Sequence, residues 1–175
     1  MSGTREGVKA TCRCGQTAIE IVGAPILSTV CCCESCRTAG RQFDALAPGA
    51  PSVVRVDGGT DYCLFRKDRV GIAFGGEHLQ ERRLTPASPS RRVVATCCNT
   101  PMFLDFTPGH WLTLYRDRLP DDAPRLEMRV MAKASPAGVN FADSIPTYST
   151  YPASFMIKLL AAWAAMGFRR PTIAW

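Results

Sequence analysis

Sulfur is the chemistry this sequence concentrates. Nine cysteines occur, and all but Cys63 fall into three tight groups. The first is Cys12-Arg13-Cys14-Gly15, the second Cys31-Cys32-Cys33-Glu34-Ser35-Cys36-Arg37, and the third Cys97-Cys98-Asn99-Thr100-Pro101. Thiolates at such short spacings suit a tetrahedral metal ion, whose ligands must converge on one point, and zinc is the usual ion for such a set. Disulfides fit less well. An odd count leaves one thiol over, cytosolic thiols are held reduced, and the polar start from Met1 to Gly7 lacks the apolar run of a secretory signal.

Each group has its own geometry. Cys12 and Cys14 with Gly15 form a short knuckle, in which glycine takes the positive φ that turns backbone N–H groups toward the thiolates. Cys31 and Cys33 lie two apart and share one face of a strand, so both can aim at one ion while Cys32 points away. Cys36 closes that site from the following turn. Three protein thiolates leave the fourth coordination position of zinc free, which marks a reactive site. A fourth sulfur, from Cys32 or another cysteine, makes it a closed structural one instead. Cys97 and Cys98 can complete the first knuckle as a four-sulfur site with Cys12 and Cys14, clipping an early strand to a late one. Adjacent cysteines on a straight strand face opposite ways, so the chain must turn there. Asn99, which tolerates the left-handed region, and Pro101 provide for that turn.

The elements that must position these groups read as a mainly β fold. Short apolar or alternating runs recur between turn residues. Strands are expected at Gly7 to Thr11, Ala18 to Val22, Ser28 to Cys32, Ser52 to Val56, Tyr62 to Arg66, Val70 to Phe74, Leu79 to Leu84, Val93 to Thr96 and Met102 to Phe106. His110 to Tyr115 and Leu126 to Met131 suit either a strand or a helix. Ala24-Pro25, Pro48-Gly49, Gly58-Gly59, Gly75-Gly76, Pro86 to Pro89 and Pro108-Gly109 punctuate the runs. The last quarter differs. Pro152 can occupy a first helical turn, and Phe155, Leu159, Leu160, Trp163 and Met166 then make a stripe that Gly167 ends. This helix, about 150–168, is expected to pack on the sheet or on a partner chain, which leaves a homodimer open.

Bulk properties narrow the classes. A chain of 175 residues, 46% hydrophobic and 21% charged, suits one zinc-binding domain with a real core rather than a disordered segment. Nothing approaches the roughly 18 apolar residues of a membrane span, so no membrane partner is expected and the location is read as cytoplasmic. The formal charge is +6 with every cysteine counted neutral. Seven bound thiolates and two zinc ions lower it to roughly +3. The basic excess lies in scattered pairs such as Arg82-Arg83, Arg91-Arg92 and Arg169-Arg170, a solvated surface rather than a nucleic-acid stripe interleaved with aromatics.

The order Cys12-x-Cys14-Gly15, then Cys31-x-Cys33-x2-Cys36-Arg37, then a late cysteine knuckle resembles the glutathione-dependent formaldehyde-activating enzyme family, also called the centromere protein V family. The resemblance covers residues 7–115 and leaves the helical tail outside. It implies a β-tent fold of antiparallel sheets, a structural zinc on four cysteines, and a second zinc where a glutathione thiol can bind. Cys12, Cys14 and Cys98 match the structural ligands, and Cys31, Cys33 and Cys36 the second site. The chain departs from the family pattern at Cys32, where histidine is usual, and at the late knuckle, where Ala95 and Asn99 replace a cysteine and a glycine. Cys97 then stands in for the missing ligand. The run from Cys97 to Pro101, with Gly58-Gly59-Thr60-Asp61 upstream, is similar to an uncharacterised branch of the family.

Other residues carry less. His78 and His110 lie near no serine or cysteine motif of the triad kind, and His110 reads as a surface or hydrogen-bonded histidine. Cys63 reads as a small buried hydrophobe. Glu34 and Ser35 are either groups supporting the second site or a turn facing water. Three functions compete. One is a carbon–sulfur lyase, similar to an S-hydroxymethylglutathione synthase, in which a three-cysteine zinc presents a thiol such as glutathione to a small aldehyde. Another is a non-catalytic scaffold or interaction module with purely structural zinc. A thiol-based redox or metal sensor is a third.

Overall fold

A computed structural model of the protein describes residues 7–46 and 51–175. The expected turn at Pro48-Gly49 lies outside the described residues. In chain order the elements are β1 (Val8–Thr11), β2 (Ala18–Ile21), β3 (Leu27–Cys31), α1 (Glu34–Asp44), β4 (Thr60–Arg66) and β5 (Val70–Phe74). They continue with β6 (Leu79–Arg82), β7 (Ser90–Ala95), β8 (Thr100–Phe106), β9 (Trp111–Tyr115), β10 (Met128–Val130) and α2 (Ala153–Ala164). The fold is mainly β, as expected. A small sheet has the order β1-β2-β5, and a seven-stranded sheet the order β10-β3-β4-β9-β8-β7-β6. Pairing is antiparallel except where β10 runs parallel to β3 at the edge.

The large sheet is covered on both faces, and β4 shows how. Successive strand residues point to opposite faces. Cys63 and Phe65 therefore join a core with Ile19, Ile21, Leu112 and Leu114, against the small sheet. Tyr62 and Leu64 join a second core with Phe43 of α1 and with Phe155 and Leu159 of α2. A strand buried on both faces reads as an unbroken apolar run, here Tyr62-Cys63-Leu64-Phe65. Both segments left open between strand and helix are strands, β9 and β10.

Three features depart from expectation. Ser52 to Val56 is not a strand: Val54 makes only an isolated bridge to Thr60, and Val56 is fully exposed. Val53 and Val54 pack across α1 instead, and a Cβ on Gly40 of that helix would lie 2.1 Å from a Val54 methyl. Helix α1 itself was not expected. Its buried Cys36, Ala39, Gly40 and Phe43 fall at i, i+3, i+4 and i+7, a helical stripe disguised by small residues. Finally, α2 buries Phe155 and Leu159, with Met166 buried just beyond its end, but Leu160 is 56% exposed. One residue past Leu159 is about 100° round the helix, which carries Leu160 off the packed face.

Candidate metal centres

The first cluster joins two turns. The β1–β2 turn runs from Cys12 to Thr17 and is closed by the Cys12 N–H donating to the Thr17 carbonyl oxygen at 3.0 Å. Gly15 takes φ +76°, and the Thr17 N–H donates to Cys12 Sγ at 3.3 Å. The β7–β8 turn carries Cys97 and Cys98, and Asn99 takes φ +53°, so both sulfurs face one point. Sulfur separations are 3.6 Å for Cys12–Cys14, 3.7 Å for Cys12–Cys97, 3.4 Å for Cys14–Cys97 and 3.9 Å for Cys97–Cys98. Four thiolates around zinc at about 2.3 Å would stand about 3.8 Å apart. The donor set fits a tetrahedral metal, and every cysteine is free of disulfide bonding.

The protonation pattern suits a ligand set. Burial pushes the Cys98 thiol up, but the Thr100 hydroxyl at 2.9 Å, the Cys14 N–H and the neighbouring thiols outweigh it and bring the pKa to about 6. Cys97, raised by burial and by its three sulfur neighbours despite the Thr17 hydroxyl, is pushed up to about 12. Negative charge crowded into one place keeps the other protons on until a cation displaces them.

The second cluster sits where β3 hands over to α1. Cys31 ends the strand, Cys33 occupies the extended residue before the helix, and Cys36 lies in the first helical turn. Their sulfurs lie within 4.8 Å of one another, with Cys33 and Cys36 3.1 Å apart. The helix start favours negative charge here. Contacts from Cys31 and Cys36 hold the Cys33 thiol down at about 2, against the opposing effect of burial. Cys31 is raised through its contacts with Cys33 and Cys36. Cys36, which Cys31 alone would lower, is carried to about 11 by Cys33 and burial. Tyr62 Oη donates to Cys36 Sγ at 3.5 Å, and the Ser35 hydroxyl lies 3.2 Å from Cys33 Sγ.

Of the first cluster only Cys12 borders a cavity, one of about 360 Å³, whereas all three sulfurs of the second share one. Cys31, Cys33 and Cys36 line a cavity of about 440 Å³ walled by Trp111, Tyr151, Phe155 and Leu159. Each cluster can hold a metal ion, and the all-sulfur donors are compatible with zinc.

The remaining candidates fall elsewhere. Cys32 is fully buried and faces Ser135 and Arg129, away from the cluster. Cys63 is buried beside the Ser28 hydroxyl at 3.3 Å. His110 is buried and bonded at 2.9 Å to the Leu159 carbonyl oxygen, with its ring stacked on Trp163. Glu34 is exposed and pairs with Arg37 and Arg41, while Ser35 does touch the cluster. Tyr62, Arg92 and Tyr151, which meets Cys31, are cavity residues that no motif marks in the sequence. Tyr62 was one apolar residue of a strand, and Arg92 was counted with the solvated arginines. The signal for Arg92 was its period-two spacing from Val94, which faces the helix-side core.

No family model and no curated protein matches the chain. A crystal structure of a Rhodobacter sphaeroides protein is similar at 17% identity and a TM-score of 0.46, over 67% of this chain and 92% of that one. Among the described residues, no helix is long and apolar enough to cross a membrane.

Proposed function

We propose that the Cys31, Cys33 and Cys36 cluster is the working site, that the four-sulfur cluster is a structural clip, and that the protein joins a small thiol such as glutathione to a small aldehyde. One asymmetry carries this reading: four sulfurs enclose a point, whereas three open on a cavity. The spacing that resembles the formaldehyde-activating family supports glutathione as the thiol and a β-tent as the arrangement of the two sheets. Cys31, Cys33 and Cys36 would hold zinc, which when bound lowers the pKa of an incoming thiol.

The chain's own residues prepare the place. Tyr62 is buried, which holds its phenol well above the usual range, so it stays protonated and keeps donating to Cys36. Trp111, Phe155 and Leu159 give the cavity apolar walls beside the three sulfurs. In the addition the thiol S–H bond breaks and a C–S bond forms to the carbonyl carbon. The released proton ends on the carbonyl oxygen. The reverse is the lyase direction.

Cobalt substitution tests the reading. The expected result is one metal at each cluster, four sulfurs at the first, three sulfurs and an exchangeable ligand at the second, and a spectral change with glutathione at the second alone. A closed four-sulfur spectrum at both clusters, or indifference to every low-molecular thiol, refutes it. A non-catalytic interaction module is favoured instead by one observation: Met156, Ile157 and Leu160 of α2 are 55%, 64% and 56% exposed, an apolar face suited to a partner.

A further inference from the structure

Arg92 is the buried charge that the proposed chemistry leaves unused. It is 3% exposed and lines the same cavity as the three sulfurs. Across the sheet it stands in one row with Leu64, Thr113 and Leu104, on the face that α1 and α2 cover. Among the described residues it makes one hydrogen bond, Nη2 donating to the Ser35 carbonyl oxygen at 3.3 Å. Its Nε and Nη1 are buried with no partner.

The other buried cations are treated differently. Lys67 has Asp105 at 2.8 Å, and Arg129 has Asp57 at 3.2 Å and Asp143 at 2.8 Å. A guanidinium keeps its charge at any ordinary pH, and burying it without an anion is costly. Each fork that matches a carboxylate in bidentate fashion pairs Nη2 with Nε or with Nη1, so a carboxylate would take the second Nη2 N–H together with one of the two unpartnered nitrogens. A single residue, Ser35, spans the gap to the cluster: its carbonyl meets Arg92 and its hydroxyl meets Cys33 at 3.2 Å.

We propose that Arg92 receives a carboxylate of the ligand that enters this cavity, so that the substrate class is a carboxylate-bearing thiol or an oxo acid that such a thiol attacks. The inference rests on the reading of the three-sulfur cluster as the working site. The carboxylate and the reacting carbon or sulfur of that ligand lie a short chain apart, because one residue of the protein separates their receptors. The competing role for Arg92 is counter-charge, since three thiolates on a divalent ion carry a net negative charge. That role predicts no preference for acid over ester.

The test uses the zinc-loaded full chain and calorimetry with matched probes. These are 3-mercaptopropionate against its methyl ester, and glyoxylate against its methyl ester. The expected result is that at least one acid binds about tenfold more tightly than its ester. In Arg92→Gln that preference disappears while the ester's affinity is unchanged, and Arg92→Lys keeps part of it. Should the variants fail to fold, the acid–ester comparison in the unaltered protein still decides. Equal binding of acid and ester in both pairs overturns the inference and leaves the proposed function standing. Equal weakening of acid and ester in Arg92→Gln assigns counter-charge and also overturns it. If neither thiol binds while glyoxylate outbinds its ester, Arg92 is the carboxylate receptor and the thiol-binding reading fails.

Discussion

Cys97→Ala removes the sulfur that stands 3.7 Å from Cys12, 3.4 Å from Cys14 and 3.9 Å from Cys98. Cys12 and Cys97 are 85 residues apart in the chain, so a metal bound there closes a long loop. A cross-link over such a loop restricts the unfolded chain by about 4.6 kcal/mol, and a metal clip acts through the same entropy. Domains have only about 5–15 kcal/mol of net stability, so the loss is a large share. At roughly 2–4 °C per kcal/mol for a chain of this size, losing the metal with this ligand should lower the melting temperature by about 9–18 °C. The assay is thermal melting of the metal-loaded protein, Cys97→Ala and Cys63→Ala, with and without chelator, alongside metal counting. Cys63 is the control, because it is buried beside Ser28 and belongs to neither cluster. Chelator should lower the unaltered protein by at least as much as the Cys97 substitution does. If Cys97→Ala keeps the full metal count and melts with the Cys63 control, Cys97 is no ligand and the clip argument fails.

Three further outcomes are expected. Cys36→Ser should remove one metal per chain yet cost only about 2 kcal/mol in urea unfolding, because the three sulfurs of its cluster lie within one short stretch of chain and close almost no loop. A loss as large as that of Cys97→Ala would contradict this. Burial drives the His110 pKa below its usual 6.5, ahead of the opposing pull of the Leu159 carbonyl, with Lys67 and Arg170 adding to the depression. The unfolded chain then binds the proton more readily. The contribution of His110 to docking α2 is therefore full above pH 6.5 and lost as pH falls through its lower folded value. Amide exchange in α2 should quicken on acidification, and His110→Phe should remove that dependence. Lys67→Met leaves Asp105 buried with Arg91 alone and should cost about 3 kcal/mol by denaturant unfolding, at the low end for a broken buried pair because Arg91 remains.

Much of the sheet was legible because turn residues bracket short apolar runs. What could not be read was how segments far apart share a face. Ser52 to Val56 has strand composition, yet its valines are taken by α1 through the close approach that Gly40 permits. Local pattern does not register such competition. Helix α1 carried a readable period, but its stripe is built from cysteine, alanine and glycine, and the metal-type spacing of Cys33 and Cys36 drew attention to a turn instead. Arg92 failed for the reason that charge is read as exposure. The spacing from Val94 alone placed it inward, and without a register across the sheet nothing connected it to a cavity whose walls come from β3, β4, β7, β8, β9, β10, α1 and α2 together.

The cysteines themselves were the most legible feature, and the structure explains why the two groups differ in kind. Cys12, Cys14, Cys97 and Cys98 come from two hairpin turns, each bent by a residue in the left-handed region, Gly15 and Asn99. Turns brought tip to tip can surround a point, and four sulfurs complete the coordination of a tetrahedral ion. Cys31, Cys33 and Cys36 come from one strand end and the helix start that follows it. A single stretch of chain passes an ion on one side only, so the other side must be filled by something else. Here that side is the cavity holding Tyr62, Arg92 and the apolar face of α2. The local origin of the three sulfurs, rather than their number, is what leaves this cluster open on one side.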